Sequence, residues 1–499
     1  MIINIVSKKG VHKMTNMILR SPFFTAIILF SLASYSGPAL AVDVQFSAQV
    51  EEVYSDNITL VPNDEAKADF VTRIAPSVQL DYLANSAEVT AEYTYEILRY
   101  ASETDFDQEY HQLNALGGID IIGKTLRMQG QTIYTQVNVD PRAPAQTSNI
   151  AAGGNRTDAS NWQLGPRYQQ EMFGADVSAF YDYGRIEFDD PNSQDIESNR
   201  YGASVSNAEI TSSRTTYEAV WNYWKLDYQV SGEIEDQTLY LQLRRELSDA
   251  LDVFALGGAD SDLFDRGESS LSETRWEVGF DYTGFDNYVS ASFGDRYFGS
   301  VYRVSAGRQV SAWNYGLSYS EEPGTSESFF LGEQATPDPG EPPPDAGLDT
   351  PGLGQPFIRK RTDATINWEG YASRLLVRGW LEKRDQSDPE DFENPNDGII
   401  SDNEKSKGLA AAYEWDLGAK TGAVFRTGWD KREFDDLDPL GGPSIKSDIE
   451  TFRVGAEIIY ELGLKTSVTG GAGYRDSSGS DGNNNFDEIY IAVMLTRIF

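Results

Sequence analysis

The sequence predicts an all-β fold, a transmembrane antiparallel up-and-down β-barrel of about 22 strands. Apolar and polar residues alternate through many segments, as expected for strands that present one face to lipid and one to water. The connections alternate between tight turns and longer acidic loops. The chain also ends on a strand, DEIYIAVMLTRIF, which would leave an open sheet edge unless it paired with the first strand and closed the sheet.

The amino-terminal segment predicts a secretory signal rather than part of the barrel. Four basic residues precede an apolar run at 23–33, and Ala39-Leu40-Ala41 gives the small-residue spacing that signal peptidase requires. The run is shorter than the roughly 20 apolar residues of a membrane helix. We therefore expect cleavage after Ala41 and a barrel formed by residues 42–499.

Composition excludes several classes of function. Residues 42–499 carry 37 Lys plus Arg against 78 Asp plus Glu, a formal charge of −41. Such a surface is expected to repel nucleic acid and anionic lipid headgroups, which excludes a role in binding along a phosphate backbone. No cysteine is present, so stability must come from packing and hydrogen bonding. No linker divides these 458 residues, although the length would ordinarily predict several domains.

The alternating pattern begins at once and recurs to the end of the chain. Val42, Val44, Phe46, Ala48 and Val50 alternate with polar residues over the first strand. Similar alternation occurs in the following two strands, with Pro76 predicted to mark a bulge or weak pairing, and again at 276–282, 452–460 and 464–474. In a soluble sandwich such apolar faces would pack together, whereas in a membrane barrel they would face lipid. Periodicity alone does not separate these two arrangements.

Connection lengths favour the barrel. Tight turns are predicted near 85, 123–124, 174, 212–213, 248–250, 284, 311–312, 369–370, 418–419 and 463. Longer connections are predicted at 56–68, 102–108, 139–158, 189–199, 228–236, 260–271, 322–357, 386–405, 435–447 and 476–486. A single short connection near Tyr297 to Ser300 breaks the series. This pattern predicts 22 strands, or 18 to 20 if doubtful hairpins merge, with both termini on the turn side and long extracellular loops.

Several polar positions predict the lining of the lumen. They carry both signs of charge: Arg73, Glu88, Glu92, Glu96, Arg275, Glu277, Asp281, Arg453, Glu457, Lys465 and Arg475. Such residues fit a hydrated path for a polar solute, and they fit equally well internal ion pairs that brace an empty wall. Because the barrel begins near residue 42, no amino-terminal plug domain is expected, and any restriction of the lumen must come from loops such as the Pro- and acid-rich segment 322–357. Aromatic residues beside the turns, Tyr82, Tyr282, Trp313, Tyr315, Tyr371 and Tyr460, fit either interfacial girdles or ordinary strand positions.

The carboxyl-terminal strand predicts two partners. Ile491, Val493, Leu495 and the terminal Phe499 share one face, and an aromatic terminus on such a strand resembles the signal by which outer-membrane barrels are recognised for assembly. Arg497 departs from that pattern. The expected partners are therefore outer-membrane lipid and the barrel-assembly machinery, and the expected location is the bacterial outer membrane.

The sequence predicts no enzyme and no cofactor. His111 is the only histidine after residue 41; it fits a plain rim histidine better than a catalytic base. The acidic segment 387–405 lacks the ligand spacing of a known calcium loop, so solvated charge is the preferred interpretation. No catalytic or metal-binding residues are predicted, and no phosphate loop, dinucleotide fingerprint or zinc spacing is present.

Three segments resemble a known family. FSAQVEEVYSDNITLVP at 46–62, DFVTRIAPSVQLDY at 69–82 and FGDRYFGSVY at 293–302 are similar to outer-membrane β-barrel proteins associated with PEP-CTERM/exosortase systems. The resemblance implies a porin-like conduit or accessory for exopolysaccharide export, with polysaccharide or export-complex proteins as partners, and it supplies no catalytic residues. The alternatives are a structural or adhesive surface barrel with a loop-blocked lumen and, third, a lipid-modifying barrel enzyme that uses His111.

Overall fold

The structure is a computed structural model, and it shows a single closed sheet. It describes residues 41–499 except 141, 144–145, 147, 192, 208–213, 230–231, 264–269, 326–355, 386–400, 437–444 and 481–483. The predicted signal segment before Ala41 and most of the 322–357 loop lie outside the described residues. Each strand forms an antiparallel pair with its neighbours in the chain, which confirms the predicted up-and-down barrel and the count of 22 strands.

Strand bounds follow the predicted hairpins closely. The first half of the wall contains β1 Ala41–Ser55, β2 Asp69–Leu83, β3 Ala87–Tyr100, β4 Gln108–Ile122, β5 Leu126–Asn138, β6 Arg156–Met172, β7 Ala175–Phe188, β8 Ile196–Ser206, β9 Thr215–Tyr228, β10 Gly232–Ser248 and β11 Leu251–Asp260. The second half contains β12 Glu273–Thr283, β13 Asn287–Arg296, β14 Gly299–Val310, β15 Trp313–Thr325, β16 Pro356–Glu369, β17 Ser373–Asp385, β18 Ser401–Gly418, β19 Thr421–Asp436, β20 Ile445–Gly463, β21 Thr466–Gly479 and β22 Phe486–Ile498. One 3-10 helix, Thr104–Phe106, lies between β3 and β4.

The last strand closes the barrel against the first. Ser47 to Ser55 of β1 pair with Ile498 to Tyr490 of β22, and the Phe499 amide donates to the Phe46 carbonyl over 2.9 Å. This pairing removes the open edge that the final strand would otherwise present. Both ends of the described chain lie on the side of the tight turns, because Ala41 pairs with Leu83 beside the first turn and the Ile498 amide donates to Lys465 in the last one.

Two proline positions weaken the pairing locally, as predicted for the first. Between β2 and β3 the register passes from Ile74 to Ser77 with Ala75 and Pro76 unpaired, and no residue is inserted. The same interruption occurs at Gly165 and Pro166 between β6 and β7. Proline has no amide hydrogen to donate, so each site lacks a ladder hydrogen bond.

Several predicted loop boundaries differ from the structure, as two connections illustrate. The connection expected at 228–236 is shorter, because β9 continues to Tyr228 and β10 begins at Gly232. The strands flanking the 322–357 segment also extend into it: Glu322 pairs with Arg359 and Thr325 with Pro356. Acidic and proline residues near strand ends predict a loop, yet the backbone pairing between the two neighbouring strands continues through these residues. The short connection at Tyr297 and Phe298 is confirmed.

The outer wall is apolar and exposed along the strands. Phe46, Leu243, Val278, Leu381 and Ile491 are each about half exposed on this face. Five of the six predicted girdle aromatics are exposed, whereas Tyr82 is covered by packing against Ala87 and Val89. In the described part of the chain, no helix has the length and apolar character needed to cross a membrane.

Candidate functional site: the barrel lumen

The inner wall carries the charged residues that alternate with the apolar outer face. The outward residues Trp276, Val278, Phe280 and Tyr282 of β12 are each about 40% exposed or more, whereas the intervening Arg275 and Glu277 are buried. Side chains on a strand alternate between faces, so the buried charged set points into the barrel. The lumen therefore gathers charges from strands that are far apart in the sequence.

The connection between β5 and β6 folds into this lumen. Asn149 donates from its side-chain amide to Glu96 on β3 and, over 3.2 Å, to Gln136 on β5. The Tyr100 hydroxyl donates to the Ile150 carbonyl over 2.8 Å, and the Ala152 amide donates to the Ile58 carbonyl over 2.7 Å. We call the described residues between 139 and 155 the inner loop. Polar anchors and backbone bonds fix it to the inner surface of β3 and to the β1–β2 loop.

The inner loop also reaches the far part of the wall. The Asn484 side chain donates to the Arg142 carbonyl over 2.8 Å, and the Arg142 guanidinium lies 5.7 Å from the ring centre of Phe434 on β19. In the cyclic strand order β19 is about eight positions from β5, which is more than a third of the circumference. The inner loop thus crosses the lumen on its loop side. A loop therefore narrows the lumen at this level.

A cavity of about 610 Å³ lies beside the inner loop, between it and the wall formed by β17–β22 with β1–β3. Its lining contains more arginines than acids. The arginines are Arg73, Arg156, Arg378, Arg426, Arg432, Arg453 and Arg475, and the acids are Glu51, Glu96, Asp430, Glu457 and Glu488. A locally positive lumen site therefore exists in a chain whose overall charge is strongly negative. Asp363, outside this lining, also pairs with Arg378 at 2.9 Å, so the excess of positive charge is small, and it favours anions locally.

Ion pairs hold several of these arginines in place. Arg73 contacts Glu96 at short range and Glu51 at 3.3 Å, and Arg426 contacts Glu457 at 2.7 Å. Arg453 pairs with Asp430. These pairs fix the guanidinium groups on the wall, and a planar guanidinium carries five donors, so it retains donors for a second partner.

Two aromatic rings lie flat against the same part of the wall because glycines leave room for them. A Cβ at Gly408 would lie 2.2 Å from the Trp380 ring, and one at Gly473 would lie 2.4 Å from the Tyr490 ring. Trp380 and Tyr490 both line the cavity. Aromatic faces beside hydrogen-bonding groups suit polar ligands that also have apolar faces, as sugar rings do.

Some polar atoms of the cavity lining have no hydrogen-bond partner within the described part of the chain. They are Asn149 Oδ1, Arg156 Nε, Trp380 Nε1 and Ser406 Oγ. Buried polar groups in proteins are nearly always satisfied by protein, water or ligand. The cavity is therefore a hydrated or ligand-accepting space rather than a close-packed core.

The other half of the lumen contains ion pairs and an apolar cluster, beside a smaller cavity of about 330 Å³ that Asp176, Gln242 and Arg244 help to line. Asp260 is fully buried and contacts Arg296 at 2.5 Å and Arg275 at 3.4 Å, and Glu277 contacts Arg303 at 2.6 Å. Asp281 pairs with Arg244. An apolar cluster of inward residues accompanies them: Ile186, Ile196, Leu226, Tyr228, Ile234 and Leu263, with Tyr297 packed against it. In this half of the lumen the charged side chains form ion pairs with one another and link the strands that carry them.

The predicted lumen residues consequently divide into two groups. Arg73, Glu96, Arg453, Glu457 and Arg475 line the cavity, whereas Arg275, Glu277 and Asp281 belong to the ion-paired half. The other three predicted lumen residues belong to neither group. Glu88 contacts Arg127 near the turn side, Glu92 is exposed on β3, and Lys465 occupies the turn between β20 and β21.

Sequence reasoning missed the inner loop and part of the cavity wall. The segment containing Asn149 has no charge or motif that distinguishes it from other connections. Arg378, Arg426 and Arg432 lie on alternating positions of β17 and β19, so the period-two rule applied to those strands would have found them.

His111 lies on the outer wall, not in the lumen. Its Nδ1 is 2.7 Å from the Tyr93 hydroxyl, and its ring centre is 5.0 Å from that of Tyr95. Both tyrosines belong to the outward face of β3, which pairs His111 with Tyr95. Among the described residues, no group of His, Cys, Asp and Glu could hold a metal ion.

Comparisons with known proteins support the fold. No family model and no curated protein matches the chain. A mutant form of the ferric enterobactin receptor PfeA from Pseudomonas aeruginosa is similar with 9% identity and a TM-score of 0.51, over 92% of this chain and 81% of that one. The siderophore receptor PirA from Acinetobacter baumannii has 8% identity and a TM-score of 0.48 over 92% and 81% of the two chains. OccAB3 of the same species has 11% identity and a TM-score of 0.32 over 92% and 100%.

At these identities the likeness shows the fold alone. The molecule itself has the features of a membrane barrel: its closed sheet has no unpaired edge, its outer face is apolar, and its interior is charged. Only such closed barrels, or helices, satisfy every backbone group within a bilayer. The chain is a transmembrane barrel of the outer-membrane type.

Proposed function

We propose that the protein is an outer-membrane conduit, or an accessory of one, for export of an acidic polysaccharide. The observation that carries this proposal is the arginine-rich cavity beside the inner loop, with Trp380 and Tyr490 lying flat on its wall. Arginines pair with the carboxylates of acidic sugars, and aromatic rings stack on the apolar faces of sugar rings. The resemblance to barrels of PEP-CTERM/exosortase systems supports the same substrate class.

The geometry favours passage along one side of the lumen. The larger cavity, of about 610 Å³, follows the wall from β17 through β22 to β3, whereas the cavity at β6–β10 measures about 330 Å³. Fixed arginines on neighbouring strands give successive weak sites, and a chain molecule can move between such sites because each contact is individually small. The protein supplies no catalysis in this proposal.

The test is block of single-channel current by saccharides of matched length. Residues 42–499, refolded into a planar bilayer, are exposed to an oligogalacturonate and to a neutral dextran oligomer. We expect the acidic oligomer to block at least about tenfold more strongly, since each charged contact contributes about 1 kcal/mol or more. Trp380→Leu should weaken the block about fivefold to tenfold by removing the stacking surface. Trp276→Leu, on the outer wall, serves as the matched control. Equal block by both oligomers would contradict the proposal.

A second candidate is a structural or adhesive surface barrel. The observation that favours it is the inner loop itself, which crosses the lumen and is held by hydrogen bonds at both ends. A folded, heat-modifiable barrel without conductance, whose attachment to surfaces is lost on deleting 326–355, would support this candidate over the conduit.

A further inference from the structure

A lysine cluster stands out on the outer wall of the barrel, away from the lumen. Five of the eleven lysines after residue 41 lie together on four adjacent strands: Lys360, Lys383, Lys405, Lys407 and Lys431. They surround a shallow cleft of about 280 Å³ together with Leu381 and Glu433. We call this set the lysine patch. It is an exception to the strongly acidic balance of the chain.

The patch faces the membrane side of the wall. Leu381 and Leu409 are 58% and 54% exposed, and they alternate on β17 and β18 with inward residues such as Glu382 and Gly408. Lys383, Lys405 and Lys407 occupy the same parity as these leucines and therefore project outward. Lipid-facing leucines thus lie directly beside the lysines.

The height of the patch matches the outer boundary of the apolar band. Trp415, exposed on the outer wall, lies near the turn-side end of β18, and Lys407 and Lys405 are on the same strand toward the loop side. Lys407 and Lys405 lie about eight and about ten residues along β18 from Trp415. At about 3.4 Å per residue and a strand tilt of about 40°, these separations correspond to about 20 to 26 Å across the membrane. The apolar band of such barrels is about 25 Å tall. The lysines therefore lie at the level of the outer-leaflet headgroups.

The register places like charges directly opposite one another. Lys360 pairs with Lys383, Lys383 pairs with Lys405, and Lys407 pairs with Lys431 across adjacent strands. Directly opposed like charges destabilise a sheet unless something neutralises them. The repulsion recurs at three successive strand pairs and is offset at one of its lysines, because Lys405 also lies opposite Glu433; the remaining excess of positive charge fits a surface that binds an anion.

Neighbouring acids neutralise only part of the patch. Asp385 contacts Lys360 at 3.5 Å and also Lys383, and Asp448 contacts Lys431 at 2.9 Å. Lys405 and Lys407 are exposed, and no ion pair joins either of them to another residue in the described part of the chain. These two lysines are therefore the ones available to an external anion.

We propose that the lysine patch binds the phosphorylated headgroup of an outer-leaflet glycolipid, with its acyl chains against Leu381 and Leu409. Lysine is a point-charge binder of phosphate, and the neighbouring leucines supply the apolar surface that a free phosphate would not use. The site lies on the outer wall and is independent of transport through the lumen. It anchors a specific lipid beside β16–β19.

The test uses the detergent-solubilised barrel of residues 42–499 and native mass spectrometry. Bis-phosphorylated lipid A, enzymatically dephosphorylated lipid A and inorganic phosphate are titrated separately. We expect the barrel to retain the bis-phosphorylated lipid and to release the dephosphorylated one. The double variant Lys405→Gln/Lys407→Gln should weaken retention about 30-fold, which at 1.4 kcal/mol per tenfold is about 2 kcal/mol.

Two further variants make the outcome decisive. Lys405→Arg/Lys407→Arg keeps the charge and should retain the lipid. Lys124→Gln/Lys465→Gln removes the same charge from exposed turns at the opposite end of the barrel and should have no effect. Equal retention by the Gln variant, or an equal loss in the turn-side control, would overturn the proposal. Displacement of the lipid by millimolar inorganic phosphate would overturn the assignment to a lipid headgroup. In each case, heat-modifiable migration on a gel confirms that the variant is folded.

Discussion

Releasing the inner loop is the perturbation whose size follows most directly from the structure. Asn149 is buried, and its amide donates to the Glu96 carboxylate and to Gln136. A hydrogen bond to a charged group contributes about 1.5 to 3 kcal/mol and a neutral one about 1. Asn149→Ala should therefore destabilise docking of the inner loop by about 3 kcal/mol. That change corresponds to roughly a 100-fold increase in the population of the undocked loop.

Thiol labelling can measure this opening, because the chain contains no cysteine. Ala152 lies in the inner loop, and its amide hydrogen bond to the Ile58 carbonyl ties it to the β1–β2 loop. A single Ala152→Cys reporter should react slowly in the parent and about 100-fold faster when Asn149→Ala is added, as long as opening is fast relative to labelling. Asn314→Ala, an exposed position on β15, is the control and should leave the rate unchanged. Labelling rates within twofold of the parent would refute the docking described for the loop.

Three further predictions concern stability and assembly. Asp260→Asn should lower the free energy of unfolding by about 3 to 5 kcal/mol in urea titrations, because it leaves Arg275 and Arg296 without their buried carboxylate. As a control, Asp227→Asn at an exposed position should change the free energy of unfolding by less than about 0.5 kcal/mol. Burial raises the pKa of Tyr297 above its usual value, so the neutral phenol stabilises the fold up to about pH 10, and this stabilisation is lost as pH rises toward the folded-state pKa. Tyr297→Phe should reduce the alkaline loss of unfolding free energy by up to about 1.4 kcal/mol per pH unit. An unchanged dependence of the unfolding free energy on pH would contradict this prediction. Phe499→Ala should reduce the amount of heat-modifiable barrel in membranes while Arg497→Ala should not, and equal yields would remove the predicted role of the terminal aromatic in assembly.

The strands and hairpins of the barrel wall could be predicted from the sequence because they depend on residues that are close together in the chain. Side-chain alternation identifies strands such as the one beginning at Val42, and tight turns beside Gly123 or Gly284 fix the hairpins one at a time. Closure then follows, since a final strand like that ending at Phe499 has a single remaining partner. The count of 22 and the position of both termini depend on nothing more distant than neighbouring strands.

The contents of the lumen could not be predicted in the same way. Ala152 and Ile58 are about 90 residues apart, and only the folded barrel brings them together. The sequence drew attention to the longest loop at 322–357, whereas described residues of a shorter connection, between β5 and β6, enter the lumen. Whether an inward arginine lines a cavity or braces a wall depends on strands across the barrel, as Arg453 and Arg275 illustrate.

The most direct test of a positively charged path is the zero-current potential of single channels in a potassium chloride gradient. The chain as a whole is strongly acidic, so its average charge predicts preference for cations, whereas the arginines around the lumen cavity predict preference for anions. We expect an anion-selective potential that moves toward zero when Arg378 and Arg432 are both changed to Gln. A cation-selective potential, or one that those changes leave unaltered, would contradict the account of the lumen given above.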